Sequence, residues 1–276
     1  MQIGRQTLPL AYALRYCRQV LPIRGWQRVF ETVFPATGQL PFRFQLAVPG
    51  GDVFADATSY LDRYALFYGS IEPDEVRIVR SILQSIEART VLDVGANVAH
   101  FSIAMAERCR TVHAFEPNPP VYAKLLANIK LNPNRNIVPH NFGLSDVDTV
   151  LPFQSVSAGH DGQGNFTVDG DLSLPVSPGD TLDIDQVDFI KIDVEGHELR
   201  ALRGLARTLA SHRPIIMCEC GCDARTLLDA LPPDYELFAL RQSAILARKR
   251  LSRVDEFPIG DNVFCVPRET HILISS

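Results

Sequence analysis

No stretch of the 276-residue chain is long and apolar enough to span a bilayer. The best candidate, Leu8 to Ile23, is interrupted by Arg15 and Arg18 and carries Pro9 and Pro22 at its flanks. It also lacks the uncharged core and small-residue cleavage site of a secretion signal. A surplus of positive charge is missing too. Lys and Arg number 27 against 32 Asp and Glu, a formal net charge of -5, so the overall balance does not invite nucleic acid. Six cysteines with no export signal are too few for a disulfide framework, and are expected as reduced thiols of a cytoplasmic protein. There is no internal repeat and no low-complexity tract. What is present is ordinary globular composition, 46% hydrophobic and 21% charged, which excludes a disordered chain.

Leu8 to Ile23 reads as an amphipathic helix. It is expected to pack on its own domain or a second copy, with attachment to a membrane surface as the alternative. After Arg89 the text changes character. Short apolar runs alternate with helical spacing, the signature of βαβ units. Thr90–Val94, Thr111–Phe115, Asn136–Asn141, Val187–Ile192, Pro214–Glu219, Tyr235–Leu240 and Asn262–Val266 read as strands. Ala99–Arg108, Pro119–Leu131 and Glu198–Ala210 read as helices. Ser145 to Asp185 breaks the rhythm with hairpin-like strands and a loop over Ser157–Asn165. The pattern predicts an α/β doubly wound sheet, covered on both faces, with ligands bound beyond the carboxyl ends of the strands.

Those ends carry the chemistry. The first strand of this region ends Asp93-Val94-Gly95-Ala96-Asn97, and the second in Phe115-Glu116. Gly95 permits a sharp turn and close backbone approach. Glu116 stands about one βαβ step later, where an acid reaches ribose hydroxyls. Asn97 replaces the middle glycine of a dinucleotide loop, and Asp93 would repel a pyrophosphate but attract a sulfonium cation or an amino group. S-adenosylmethionine offers both an adenosine and a cationic end.

With Asp93-Val94-Gly95-Ala96-Asn97, Phe115-Glu116-Pro117-Asn118-Pro119 and Ile192-Asp193-Val194-Glu195-Gly196-His197-Glu198 in order, the chain resembles the FkbM family of S-adenosylmethionine-dependent methyltransferases over roughly Ile71 to Pro267. The resemblance implies a class I methyltransferase fold, Rossmann-like and mostly parallel with an antiparallel last strand. It divides the chain into an N-terminal helical extension, 1–70, and a cofactor-binding domain, 71–276. It implies S-adenosylmethionine as cofactor and O-methylation of a sugar or natural-product hydroxyl. Position by position, Asp93, Gly95 and Asn97 would line the methionine end. Glu116 would take the ribose, with Asn118 close by. Asn141 and Phe142 would border adenine, and Glu72 would lie near the cofactor. One departure stands out: Ala99 and His100 replace a usual glycine and aromatic.

A hydroxyl acceptor is a very weak acid and needs a base. Asp193 and His197 are the two candidates, unranked, with Glu195 and Glu219 on the same lip. A divalent ion held by Asp193 and Glu219 is an alternative but no metal is called for. The alternating Cys218, Cys220 and Cys222 lack zinc spacing. The basic run Arg241 to Arg253 is a solvated face or a contact for an anionic substrate. N-methylation and a non-catalytic cofactor-binding scaffold remain open. A homo-oligomer is an open partner, and no nucleic acid is expected.

Overall fold

The computed structural model describes residues 3–21, 25–35, 40–155, 164–167, 169–242 and 249–270. The extension holds α1 (Leu8–Val20), α2 (Trp26–Val33), the antiparallel pair β1 (Arg43–Val48) and β2 (Gly51–Asp56), then α3 (Tyr60–Tyr68). It is therefore not purely helical. Phe44, Leu46, Val53 and Ala55 alternate with more exposed positions, which is a half-buried hairpin rather than a helix face.

The α/β unit follows: α4 (Pro73–Ser85), β3 (Thr90–Val94), α5 (His100–Ala106), β4 (Thr111–Phe115), α6 (Pro119–Leu131) and β5 (Ile137–His140). A small sheet of β6 (Gly143–Leu144), β7 (Thr149–Ser155), β8 (Gly164–Phe166) and β9 (Leu172–Ser177) interrupts it. Then come β10 (Phe189–Ile192), α7 (Glu198–Arg203), α8 (Ala206–His212), β11 (Ile215–Glu219), α9 (Ala224–Asp229), β12 (Tyr235–Gln242), β13 (Lys249–Arg253) and β14 (Asn262–Pro267).

The main sheet has the order β13-β12-β14-β11-β10-β3-β4-β5. Its β11, β10, β3, β4 and β5 are parallel, and the final β14 runs antiparallel between β11 and β12. This is the Rossmann-like order of class I methyltransferases. From β3 the chain builds outward to β5, then crosses back to β10 on the other side of β3. That reversal opens a crevice at the carboxyl ends of β3 and β10.

Both faces are apolar. Val91, Phe189, Met217 and Phe264 pack on one side with Ile78, Ile103 and Met105. Leu92, Ile190, Ile192 and Ile216 pack on the other with Leu202, Leu205 and Leu209. The first of these clusters also takes in Ile3, Ala11, Phe30, Phe34, Leu46 and Leu66 from the extension. Packing is therefore continuous across residue 70. Asn128 and Asn132, one turn apart on α6, extend this union to hydrogen bonds. Asn128 Oδ1 accepts the Phe54 N–H at 2.8 Å, and Asn132 Oδ1 accepts the Asp52 N–H at 3.0 Å. The free edge of β2 is thereby covered.

Where one helix was expected over Glu198–Ala210, there are two. Gly204 divides them because a Cβ there would sit 1.8 Å from the Ser145 carbonyl oxygen. The basic run is partly strand β13, which continues the sheet edge. Lys249 pairs with Glu75 at 3.0 Å and Arg253 with Glu236 at 3.4 Å, so these cations meet the protein's own acids. Arg248 and most of the 157–165 loop lie outside the described residues. Among the described residues no helix is long and apolar enough to cross a membrane.

Candidate active site

A cavity of about 870 Å³ opens at the crevice. Its floor comes from the strand ends and its walls from the extension and the small sheet. Gly95, Asn97, Glu116 and Asn118 line one part, and Glu72, Lys191, Asp193, Glu195 and Glu219 another. Phe44, Tyr60, Tyr64, Phe153 and Phe166 supply aromatic wall.

The backbone is shaped for this. Gly95 has φ +81°, and a Cβ there would sit 1.9 Å from the Asp193 carbonyl oxygen, so the loops after β3 and β10 touch through a missing side chain. Glu72, Asn97 and Glu195 also adopt positive φ, at 47°, 50° and 50°. Three cavity-lining residues without the freedom of glycine are thus held in the left-handed region, which the surrounding structure must enforce.

Glu116 spans two loops. Its Oε2 accepts the Asn97 N–H at 3.1 Å and its Oε1 the Asn118 N–H at 2.9 Å. Each oxygen keeps a further lone pair for a ligand hydroxyl. The Asn118 side chain does not cap α6, and its buried Oδ1 has no hydrogen-bond partner. A buried acceptor left open in a cavity marks a place for a ligand donor.

The other part is organised by Lys191, only 3% exposed. Across the parallel register it stands beside Asp93, and its Nζ lies 2.9 Å from Asp193 Oδ2 and 4.0 Å from Asp93 Oδ1. Burial works against its charge, yet Asp193 and Asp93 hold its pKa above the usual lysine value. Burial likewise opposes ionisation of Asp193, but Lys191 and a hydrogen bond from Glu219 keep its carboxyl below the ordinary range. Glu219, half-buried and facing the Asp193 charge, is pushed up to about 8. Burial pushes Glu72 and Glu116 up to about 7 each. Glu72 Oε1 accepts from Asn262 Nδ2 at 2.9 Å. The cluster therefore combines one cation, one firmly ionised carboxylate and three acids that titrate close to neutrality.

The pKa values dictate a pH profile for the ligand-free protein. Half-buried His140 and buried His197 are depressed to about 4 by desolvation, so their contribution grows as pH rises to about 6.5. Glu72, Glu116 and Glu219 bind protons more tightly folded than unfolded. Their contribution is complete below about pH 4.5 and is lost as pH climbs through about 7 to 8. Above about pH 4.5 the three acids outweigh the two imidazoles, so the melting temperature should be highest near about pH 4.5 and fall towards about pH 8.5. A flat profile in scanning calorimetry over that interval would contradict this electrostatic picture.

Residues 93–226 match the family model described as the methyltransferase FkbM domain. Over that stretch the chain is similar to FkbM methyltransferases. It is 27% identical over 192 residues to a hexuronic acid methyltransferase, AglP, of Haloferax volcanii, a match covering 67% of this chain and 76% of that one. It is 24% identical over 196 residues to Methyltransferase 1 of Beauveria bassiana, covering 54% and 79%. Among solved structures it is similar to methyltransferase FkbM of Methylobacillus flagellatus, at 20% identity and a TM-score of 0.46. That match covers 65% of this chain and 44% of the other.

The expected site residues part into two groups. Glu72, Gly95, Asn97, Glu116, Asn118, Asp193, Glu195 and Glu219 all line the cavity. Four expected residues need correction. Asp93 does not line it: the carboxylate is fully buried behind the strand end, where Ser102 Oγ donates to it at 2.5 Å beside Lys191. His197 does not line it either. Its Nε2 meets Ser145 Oγ at 3.0 Å and its ring packs on Phe166 at 4.6 Å. Asn141 lies outside, its amide donating to the carbonyls of Glu116 and Pro117, so it props the Glu116 loop. Phe142 packs edge-on against Phe115 and His140. His100, the departure noted in the sequence, is 8% exposed and forms part of the cavity wall, its Nε2 3.6 Å from Asp62 Oδ1. Among the described residues no cluster of His, Cys, Asp and Glu fits a metal ion, and Cys218, Cys220 and Cys222 are free thiols.

Sequence reasoning missed Lys191 and the extension's Asp62. A lysine inside the apolar strand Phe189–Ile192 was the available signal for the first. Nothing local marks Asp62, which reaches the cavity only through the packing of α3.

Proposed function

We propose that this protein is an S-adenosylmethionine-dependent O-methyltransferase acting on a hydroxyl of a sugar or natural-product small molecule. The observation that carries the reading is Glu116: a buried carboxylate, clamped by the Asn97 and Asn118 N–H groups, with free lone pairs in the cavity and the open Asn118 Oδ1 beside it. That is the donor and acceptor set an adenosine would meet. When bound, S-adenosylmethionine supplies a methyl group activated on a sulfonium. The acids around Lys191 would draw that cation into the cavity, and Asp193 would orient the acceptor hydroxyl. The hexuronic acid methyltransferase of Haloferax volcanii, to which the chain is similar, favours a sugar acceptor. Aromatic walls from Tyr60, Tyr64, Phe153 and Phe166 suit a sugar ring, whose C–H faces pack on aromatic surface while its hydroxyls meet Asp56 and Asp62.

Calorimetric titration with S-adenosylhomocysteine, with NADH as control, tests the reading. Binding of the first alone is expected; binding of neither, or of NADH, would sink it. Glu116→Ala should weaken S-adenosylhomocysteine by about 1.5–3 kcal/mol, because it removes a charged partner of the ribose hydroxyls. An unchanged Kd for that variant would remove Glu116 from the site.

A further inference from the structure

Methylating a hydroxyl requires a group in the cavity that can accept a proton, and three of its carboxyl groups are already engaged. Asp193 is committed to Lys191 at 2.9 Å. Glu219 shares its hydrogen bond with Asp193, and Glu72 with Asn262. Five imidazoles lie among the described residues: His100, His113, His140, His197 and His212. His113 and His140 face each other at 3.0 Å, His197 meets Ser145, and His212 accepts the Val187 N–H. His100 alone of these lines the cavity.

His100 is also the one imidazole of the five whose ring nitrogens both lack a hydrogen-bond partner while being buried. Such a group is costly unless something completes it. Its Nε2 lies 3.6 Å from Asp62 Oδ1. Asp62 is itself fixed: its Oδ2 accepts the Asp56 N–H at 2.8 Å, and its own N–H donates to Ser59 Oγ at 3.3 Å. Asp62 belongs to the extension and His100 to the start of α5, so the pair forms only where the extension closes over the α/β unit. Ser59, Tyr60 and Asp56 line the cavity around it.

We propose that His100 is the general base for the acceptor hydroxyl and that Asp62 is its positioning residue. The proposal rests on the methyltransferase reading. The Asp62 carboxylate, 3.6 Å from Nε2, favours the proton on that nitrogen, which leaves the lone pair on Nδ1. The acceptor proton passes to Nδ1 as the acceptor oxygen bonds the methyl carbon. The electron pair of the broken carbon–sulfur bond stays on sulfur, and nothing is oxidised or reduced. Asp62 then balances the imidazolium, the arrangement that makes an aspartate–histidine pair effective in proton transfer.

The test combines ring-nitrogen NMR with turnover. In the full chain labelled with 15N-histidine, with S-adenosylhomocysteine bound, His100 is identified by the signals that vanish in His100→Gln. Nε2 should be protonated and Nδ1 bare, and Asp62→Asn should shift that tautomer balance. Methyl transfer to D-glucuronic acid, D-galacturonic acid and D-glucose is then followed. His100→Gln should lose roughly 10²–10⁴-fold in kcat with S-adenosylhomocysteine affinity preserved. His100→Ala should recover in part with added imidazole. A Nδ1–H tautomer, or His100→Gln at wild-type kcat, would overturn the proposal. If none of the three sugars is methylated by the wild type, the tautomer alone decides. Failure of the wild type to bind S-adenosylhomocysteine would instead overturn the methyltransferase reading.

Discussion

Lys191→Met should cost about 3–5 kcal/mol of folding stability, the penalty for removing one partner from a buried charge pair. Methionine nearly matches the lysine stem in length, so packing over the Phe101 ring, 4.9 Å from Nζ, is largely kept. What is lost is the cation. Asp93, 0% exposed, then keeps only its hydrogen bond from Ser102, and Asp193 faces Glu219 and Glu72 without a counter-charge. Both carboxyls should respond by taking up protons, so the penalty should shrink on acidification. Urea unfolding of wild type and variant at about pH 8 and about pH 5 measures this. Equal midpoints at the higher pH would show that Lys191 does not neutralise the strand ends. Asp93→Asn combined with Lys191→Met should recover part of the loss, since the pair is coupled.

Gly95→Val should be comparably severe. A branched side chain at φ +81° costs about 1–3 kcal/mol in backbone conformation. The Cβ position 1.9 Å from the Asp193 carbonyl oxygen adds an overpacking penalty of about 1–3 kcal/mol. The chain can relieve the clash only by parting the loops after β3 and β10, which carry Asn97 on one side and Asp193 and Glu195 on the other. Loss of melting temperature should therefore accompany loss of S-adenosylhomocysteine binding in the same variant. A variant that melts lower yet binds normally would show that the two loops move without disturbing the site.

The strands from β3 onward were legible because each is a short apolar run closed by Gly, Asn or an acid, and because their order follows from the βαβ rhythm. The residues legible at the site share one property: Gly95, Asn97, Glu116 and Asp193 sit at strand ends, where topology alone delivers them to the crevice. Those that went astray were placed by packing instead. Asp93 alternates with Val94 and so faces inward, into the arms of Ser102 and Lys191. His197 follows the left-handed Glu195 and Gly196, and that turn rotates its ring toward Ser145. The extension was least legible. Its hairpin and α3 make sense only against α5 and α6, and a reading of local periodicity has no access to those surfaces.

The two asparagines of α6 have a consequence for how this molecule comes apart. Asn128 also donates to the Val98 carbonyl at 2.8 Å, so one side chain ties the Gly95 loop, α6 and the β2 edge together. Hydrogen exchange at the Asp52 and Phe54 amides is thereby linked to the opening of α6, not of the hairpin alone. The first seventy residues cannot peel away as a private foldon: releasing them would strand two buried amides and uncover the apolar face of α5 at once. Protection should be lost in a single cooperative event that also dismantles the pocket.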